Sequence, residues 1–415
     1  MAKRPFYALP SRYFTFTAYN LFSIVVQNSH KRGTIALECV SKRKIRKFEW
    51  ILRQFKEEIR RLSSAKSRID DAEMAEKTPK LRIREFLRHT LVKFRRRSFM
   101  KTRSIAVIGL GHVGAHVAYS LAVQGIADEL LLIDANEQKA VSECQDLRDS
   151  VAYLPHRVNV NVGGFSDLKD CDLIINSVGK IDLLIANNDR LDEMDFTIHA
   201  VNGYVDKIRK SGFDGVLINI TNPCDIVTRQ LALGLDLPRG RVFGTGTGLD
   251  TSRLLSALSM QTGVDHKSIT AYMMGEHGAQ QFAPWSCVSF AGMPLEELAK
   301  RDERFRFDHD EMRKTAIGGG WVTFKGKNCT EYGIATTAAR MASVVLHDEH
   351  RIMPASMELS GEYGETGLFA GVPCLIGKNG VEQVIELPLT DAERATFHEC
   401  CDGIRHNMEH LKDIV

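Results

Sequence analysis

Four polar residues of this 415-residue chain are of types that can move a proton and hold an anion: Arg190, Asp250, Arg253 and His277. An imidazole exchanges a proton near neutral pH. A guanidinium grips a carboxylate through two parallel hydrogen bonds, which an ammonium cannot copy. Asp250 and Arg253 open a stretch with Leu254, Leu255 and Leu258 at helical spacing, and three residues of separation put both on one helix face. His277 lies in Gly275-Glu276-His277-Gly278, after the apolar, strand-like piece Ala271–Met274. Arg190 ends the polar stretch Ala186-Asn187-Asn188-Asp189-Arg190. Taken singly, each has an ordinary alternative. Arg253 could be a surface ion-pair partner, Arg190 a solvated loop charge and His277 a satisfied loop histidine.

These residues need a frame to bring them together, and the sequence supplies one upstream. Ser104–Ile108 is a short apolar run suited to a buried parallel strand. Gly109-Leu110-Gly111-His112-Val113-Gly114 follows, then a helical pattern carried by Val113, Val117, Leu121 and Val123. A second apolar run, Leu130–Ile133, ends in Asp134, 20 residues after Gly114. In this arrangement Gly109 permits a tight turn, Gly111 lets the backbone approach a pyrophosphate, and Gly114 lets the helix pack on the strand. The helix N-terminus faces the phosphates, and Asp134 can accept hydrogen bonds from a ribose diol. The Asp134 carboxylate would repel a 2′-phosphate, which points to NAD over NADP; capping of the next helix is its ordinary alternative. Further strand-like runs, Leu173–Gly179 and Val216–Asn222, alternate with helical stretches and imply an α/β fold with a doubly wound parallel sheet.

In combination these motifs resemble the L-lactate/malate dehydrogenase superfamily. The glycine loop, Thr221-Asn222-Pro223-Cys224-Asp225, Gly244-Thr245-Gly246-Thr247-Gly248-Leu249-Asp250-Thr251-Ser252-Arg253 and Gly275–Gly278 carry the likeness, which covers nearly all of residues 100–415. Within the superfamily, Gly-Thr-Gly-Thr before Leu249-Asp250, and Tyr332-Gly333-Ile334-Ala335-Thr336 after Thr330, look most like the L-2-hydroxyisocaproate dehydrogenases. The resemblance implies a Rossmann NAD-binding domain over 100–246, then an α+β catalytic domain over 247–415. It implies NAD held by Gly109, Gly111, His112, Val113, Gly114, Asp134, Val178, Gly179 and Asn222, and no metal. His277 would be the general acid of reduction and the base of oxidation, with Asp250 holding its tautomer and stabilising its imidazolium. Arg253 would bind the substrate carboxylate, and Arg190 would polarise the carbonyl from a closing loop. Asn222 would lie near the reacting oxygen and Thr330 in the substrate pocket. Hydride would pass between nicotinamide and substrate C2. A homo-oligomer, tetramer or dimer, is also implied.

Malate enzymes of the superfamily resemble one another in a second arginine early in the mobile loop. Here Gly179–Arg190 has none before Arg190; Lys180 is a candidate substitute, and Leu183 and Leu184 present apolar surface. Gly318-Gly319-Gly320 falls in an expected helix, where each glycine costs roughly 0.8–1 kcal/mol relative to alanine. Gly320 or its neighbour would remove a Cβ from the substrate wall; a helix kink is the alternative. Together these features suggest a bulky apolar side chain, as in 2-oxo-isocaproate or phenylpyruvate. The alternative is an L-lactate dehydrogenase acting on pyruvate, since a pocket discriminates by only about 1–3 kcal/mol per methylene.

The first quarter of the chain is a different polypeptide in composition. Residues 1–99 hold 25 Lys and Arg against 9 Asp and Glu, whereas residues 100–415 hold 30 against 43. Only Gly33 of the 32 glycines lies in that basic segment. Ser41–Lys66 and Lys80–Arg97 have the pattern of basic amphipathic helices. Three readings stay open for residues 1–99: a dispensable extension, an organelle transit peptide, or an arm for anionic lipid or nucleic acid. Neither of the latter two partners is expected for residues 100–415. No run approaches the roughly 20 apolar residues of a membrane span. The nine cysteines are scattered without a Cys-x-x-Cys pair, which favours reduced thiols and a cytoplasmic location over a disulfide framework or zinc site. A non-catalytic NAD-binding protein is the competing class, opposed by the intact set Arg190, Asp250, Arg253 and His277.

Sugar-bisphosphate-activated bacterial relatives have a basic residue two places after the substrate arginine and a histidine seven before the catalytic one. Leu255 and Thr270 stand there in this chain. Initial rates measured with and without fructose 1,6-bisphosphate should therefore be equal, and a clear increase with the sugar would overturn the expectation.

Overall fold

The computed structural model describes residues 13–18, 22–27, 34–39, 102–180, 190–278 and 280–411. The chain divides into two compact units, Met1–Met100 and Lys101–Val415. In the first, β1 (Tyr13–Ala18), β2 (Phe22–Gln27) and β3 (Thr34–Cys39) form an antiparallel meander, with Tyr13 opposite Gln27 and Phe22 opposite Cys39. Their aromatic and β-branched content suits strands, a signal the charge-based reading passed over. The stretches read as amphipathic helices, 41–66 and 80–97, lie outside the described residues.

The second unit is built on one large sheet and carries a second, three-stranded one. Strands β4 (Ser104–Ile108), β7 (Leu173–Asn176) and β8 (Val216–Asn219) are buried at every position. Such continuous apolar runs are required where helices cover both faces of a parallel sheet. With β5 (Glu129–Ile133), β6 (Asn159–Val162) and β9 (Val242–Gly244) they give the order β6-β5-β4-β7-β8-β9, all parallel. This is the dinucleotide-binding strand order. The crossovers carry helices α1 (His112–Val123), α2 (Glu137–Val151), α3 (Arg190–Ser211) and α4 (Cys224–Leu235).

The sheet does not stop at β9. After α5 (Gly248–Thr262), short strands β10 (Ile269–Thr270), β11 (Met274–Gly275), β12 (Gln281–Phe282), β13 (Ser289–Phe290) and β14 (Met293–Pro294) lead to α6 (Leu295–Ala299). Two long helices follow, α7 (His309–Lys327) and α8 (Tyr332–His347). The long antiparallel pair β15 (Arg351–Ser360) and β16 (Thr366–Gly377) comes next, with β17 (Gly380–Val384) on β16. Ser356 of β15 pairs with Gly244 of β9, so the parallel and antiparallel parts form one 11-stranded sheet. The expected division near residue 246 thus falls between β9 and α5, with no break in the sheet. The C-terminal helix α9 (Asp391–His410) starts at a Thr390/Glu393 capping box and buries Phe397 against Phe282 and Tyr363.

At the junction the backbone is packed so closely that glycine is required. A Cβ on Gly246, whose φ is +48°, would come within 2.5 Å of the Ser356 amide. The run Gly318-Gly319-Gly320 neither breaks nor ends α7, which continues to Lys327.

Candidate active site

The glycine turn between β4 and α1 has the shape that a dinucleotide needs. Gly109 has φ +88°, and a Cβ there would stand 2.6 Å from the Ser177 carbonyl oxygen. A Cβ on Gly114 would fall 1.8 Å from the Gly109 carbonyl oxygen, so the helix touches the turn only because Gly114 lacks a side chain. Gly111 faces open space, and no side chain caps the start of α1. Its first backbone N–H groups therefore point into the cleft as donors for an anion. Asp134, at the end of β5, accepts from the Leu110 amide at 2.6 Å and from the Asn136 amide at 2.8 Å. It thereby fixes the turn while keeping carboxylate lone pairs for a diol. Asn136, not Asp134, caps α2. These features fit NAD.

Below the turn, buried amides lock the ends of β7 and β8. Tyr204 donates to Asn176 at 2.6 Å, Asn176 donates to Asn219 at 2.9 Å, and Asn219 donates to the Thr221 and Cys224 carbonyls and to the Thr228 hydroxyl. This network sets the course of the chain through Asn222, which lines a cavity of about 460 Å³.

The same cavity is lined by Gly111, His112, Val113, Val178 and Gly179 on the nucleotide side, and by Asp250, Arg253, His277, Gly320 and Thr330 on the other. The structure thus brings these expected residues into one cleft, while Gly109, Gly114 and Asp134 shape the turn beside it without lining it. Arg190 is the first residue of α3; its side chain, with Leu183 and Leu184, lies outside the described residues. Asp250 sits in the first turn of α5, where the helix dipole favours a negative charge. One carboxylate oxygen lies 2.6 Å from His277 Nδ1, and the other accepts from Arg253 at 3.1 Å. Burial alone would raise the Asp250 carboxyl, but the His277 and Arg253 charges and bonds from His277 and Gln281 hold it below the usual carboxylate range. An ionised Asp250 keeps the His277 proton on Nδ1 and leaves Nε2 for proton exchange. Arg253 also donates to Thr330 at 3.4 Å, which leaves further N–H groups of its fork for an anion.

Gly320 acts differently from the expectation. A Cβ there would meet the Arg253 guanidinium at 3.1 Å, so the space that the glycine leaves is occupied by the arginine rather than by a substrate side chain. The glycines let α7 close onto α5 around Arg253.

The structure also brings in residues to which the sequence assigned no role. Asp225, on α4, accepts from the His277 backbone amide at 2.9 Å and from Ser356 at 2.6 Å. Gln281 donates to the Gly278 carbonyl at 2.7 Å, closing the His277 loop, and Thr251 ties α5 to the Met273 amide at 2.9 Å. Asp225 stood in a quoted motif, but its partners are 52 and 131 residues away, beyond any spacing rule.

A family model described as the lactate/malate dehydrogenase NAD-binding domain matches residues 103–244, and one for the alpha/beta C-terminal domain of the same family matches 247–415. The chain belongs to the lactate/malate dehydrogenase family. It is an NAD-dependent oxidoreductase acting on 2-hydroxy acids. An L-lactate dehydrogenase of Fusobacterium nucleatum is 39% identical over 312 residues, covering 75% of this chain and 97% of the relative. The L-lactate dehydrogenase 3 of Bacillus cereus is 41% identical over 310 residues, covering 74% and 98%. Among solved structures, a ligand-bound minor L-lactate dehydrogenase of Enterococcus mundtii superposes with a TM-score of 0.71 at 32% identity, covering 75% of this chain and 99% of its own.

Burial and the nearby Glu276 push the Asp225 carboxyl up to about 6, against the bonds from Ser356 and His277. A group whose folded pKa is raised binds its proton more tightly in the native state, so its contribution to stability falls as pH rises through that range. Denaturant unfolding of the wild type and of Asp225→Asn across pH should show the wild type losing stability relative to the variant between about pH 4 and about pH 6, then levelling. A relative gain over that window would contradict the raised value.

Proposed function

We propose that the chain interconverts pyruvate and L-lactate with NADH and NAD. The observation that carries this reading is the L-lactate dehydrogenase name of relatives 39% and 41% identical over nearly their whole length. The site is consistent with a monocarboxylate. Arg253 is the guanidinium that lines the cavity among the described residues, and Lys180, its other long cation, has its ammonium 5.7 Å over the Phe196 ring. In this reading Arg253 holds the substrate carboxylate, His277 gives a proton from Nε2 to the keto oxygen, and Asp250 offsets the imidazolium charge between turnovers. Arg190 polarises the carbonyl, Asn222 lies beside the reacting oxygen, and Thr330 borders the substrate. The bound nicotinamide supplies the hydride. A homo-oligomer, tetramer or dimer, and a cytoplasmic location belong to the same proposal. The cysteines between residues 102 and 411 are free, and no helix among the described residues is long and apolar enough to cross a membrane.

A second reading, in which a larger apolar 2-oxo acid such as 2-oxo-isocaproate is preferred, draws support from Ile317, Trp321 and Phe324 on the α7 wall of the cavity. NADH oxidation by the full chain, compared as kcat/KM for pyruvate, oxaloacetate, 2-oxo-isocaproate and phenylpyruvate, separates the readings. Pyruvate ahead of the others is the expected outcome. Faster turnover of the two bulky acids would establish the second reading, and preference for oxaloacetate would defeat both. Asp250→Asn should lower kcat by roughly 10²–10⁴-fold, because an amide can stabilise the wrong His277 tautomer and carries no charge. A variant within threefold of wild type in steady-state rate would remove Asp250 from the mechanism.

A further inference from the structure

Among the described residues, two sets of side chains bring three metal-ligating atoms together. Asp348, His350 and Glu382 are solvent-facing, and Asp348 is held by Lys378 at 3.2 Å. The second set is His112, Cys329 and Glu331, one histidine nitrogen, one thiol and one carboxylate with ligand atoms all within 4.8 Å of one another. We propose that His112, Cys329 and Glu331 bind a divalent cation of zinc-like chemistry at the mouth of the cofactor cleft, and that the ion hinders NADH binding.

The donor set is mixed in the way borderline-soft cations prefer. Zinc takes thiolate, imidazole and carboxylate together, and three protein ligands leave a fourth position for water. Tetrahedral coordination at zinc bond lengths of about 2.0–2.3 Å puts neighbouring ligand atoms roughly 3.3–3.8 Å apart. His112 Nδ1 and Glu331 Oε1 already stand 3.1 Å apart. The Cys329 thiol stands within 4.8 Å of the Glu331 carboxylate, so an ion between them takes the place of the thiol proton, which leaves to solvent. Lys327 pairs with the other Glu331 oxygen, Oε2, and so orients the carboxylate without occupying Oε1. Cys329 and Glu331 are buried, whereas the His112 side chain is 71% exposed and provides the way in.

The effect on the cofactor follows from where the ligands are attached. His112 is the first residue of α1, directly after Gly111 in the phosphate turn. Cys329 and Glu331 belong to the segment between α7 and α8, across the cleft mouth. His112 and Cys329 both line the cavity. An ion bridging them fastens the two lips together in front of the glycine turn. By linkage, NADH weakens the ion's binding by the same factor.

The test uses cobalt(II) as a spectroscopic probe on the full chain, with thiolate-to-cobalt charge-transfer absorption as a readout that does not depend on turnover or on which 2-oxo acid is the substrate. The expected result is a saturable band that disappears in Cys329→Ser and needs at least about tenfold more cobalt in His112→Asn. NADH fluorescence titrations should show weaker binding in the presence of zinc for the wild type and no zinc effect in Cys329→Ser. The exposed position of His112 keeps the test decisive if Cys329→Ser fails to fold. Absence of the band, its full retention in both variants, or NADH affinity unchanged with cobalt bound would each overturn the proposal.

Discussion

The buried carboxylate of Asp250 is the group around which the cleft is organised. It lies at the start of a helix, carries a negative charge away from water, and has cationic or proton-bearing partners on both oxygens. A buried charge of this kind is tolerable only while those partners are kept in place. The surrounding structure does that. Thr251 ties α5 to the strand that leads to His277, Gln281 closes the His277 loop, and the α7 glycines let a helix cover Arg253 without displacing it. The His277 imidazole and the Arg253 guanidinium are therefore both held by one buried negative charge.

How much of this was legible depends on how local each signal is. The turn glycines could be read with their separate reasons, because each clash that excludes a side chain involves the turn or the neighbouring strand. The parallel strands could be read because burial on both faces leaves unbroken apolar runs. Asp250 and Arg253 are one helical turn apart, so their shared face was visible in the spacing. His277 joins them from 27 residues away, and there the family resemblance, not spacing, supplied the link. Asp225 has no role that spacing could show, because its partners lie 52 and 131 residues away, and Gln281 acts partly through a backbone carbonyl, which leaves no mark on the sequence. The glycines of α7 point toward a substrate wall in the sequence alone, since sequence shows that a Cβ is missing and not what fills its place. The strands β1–β3 were passed over because net charge dominated the reading of the first segment.

The contact between Asp225 and His277 has a wider consequence for how the two halves of the Lys101–Val415 unit relate. Asp225 belongs to α4, among the parallel strands, and His277 belongs to the antiparallel half. The His277 amide is thus bonded to the nucleotide-binding half, while Ser356 of β15 bonds the other Asp225 oxygen. Gly244 and Ser356 pair at the sheet junction beside it. Separating the halves would break both of these bonds to Asp225. The position of His277 is consequently tied to the half that carries the glycine turn, and the two are held in register by the sheet they share rather than by a hinge between independent domains.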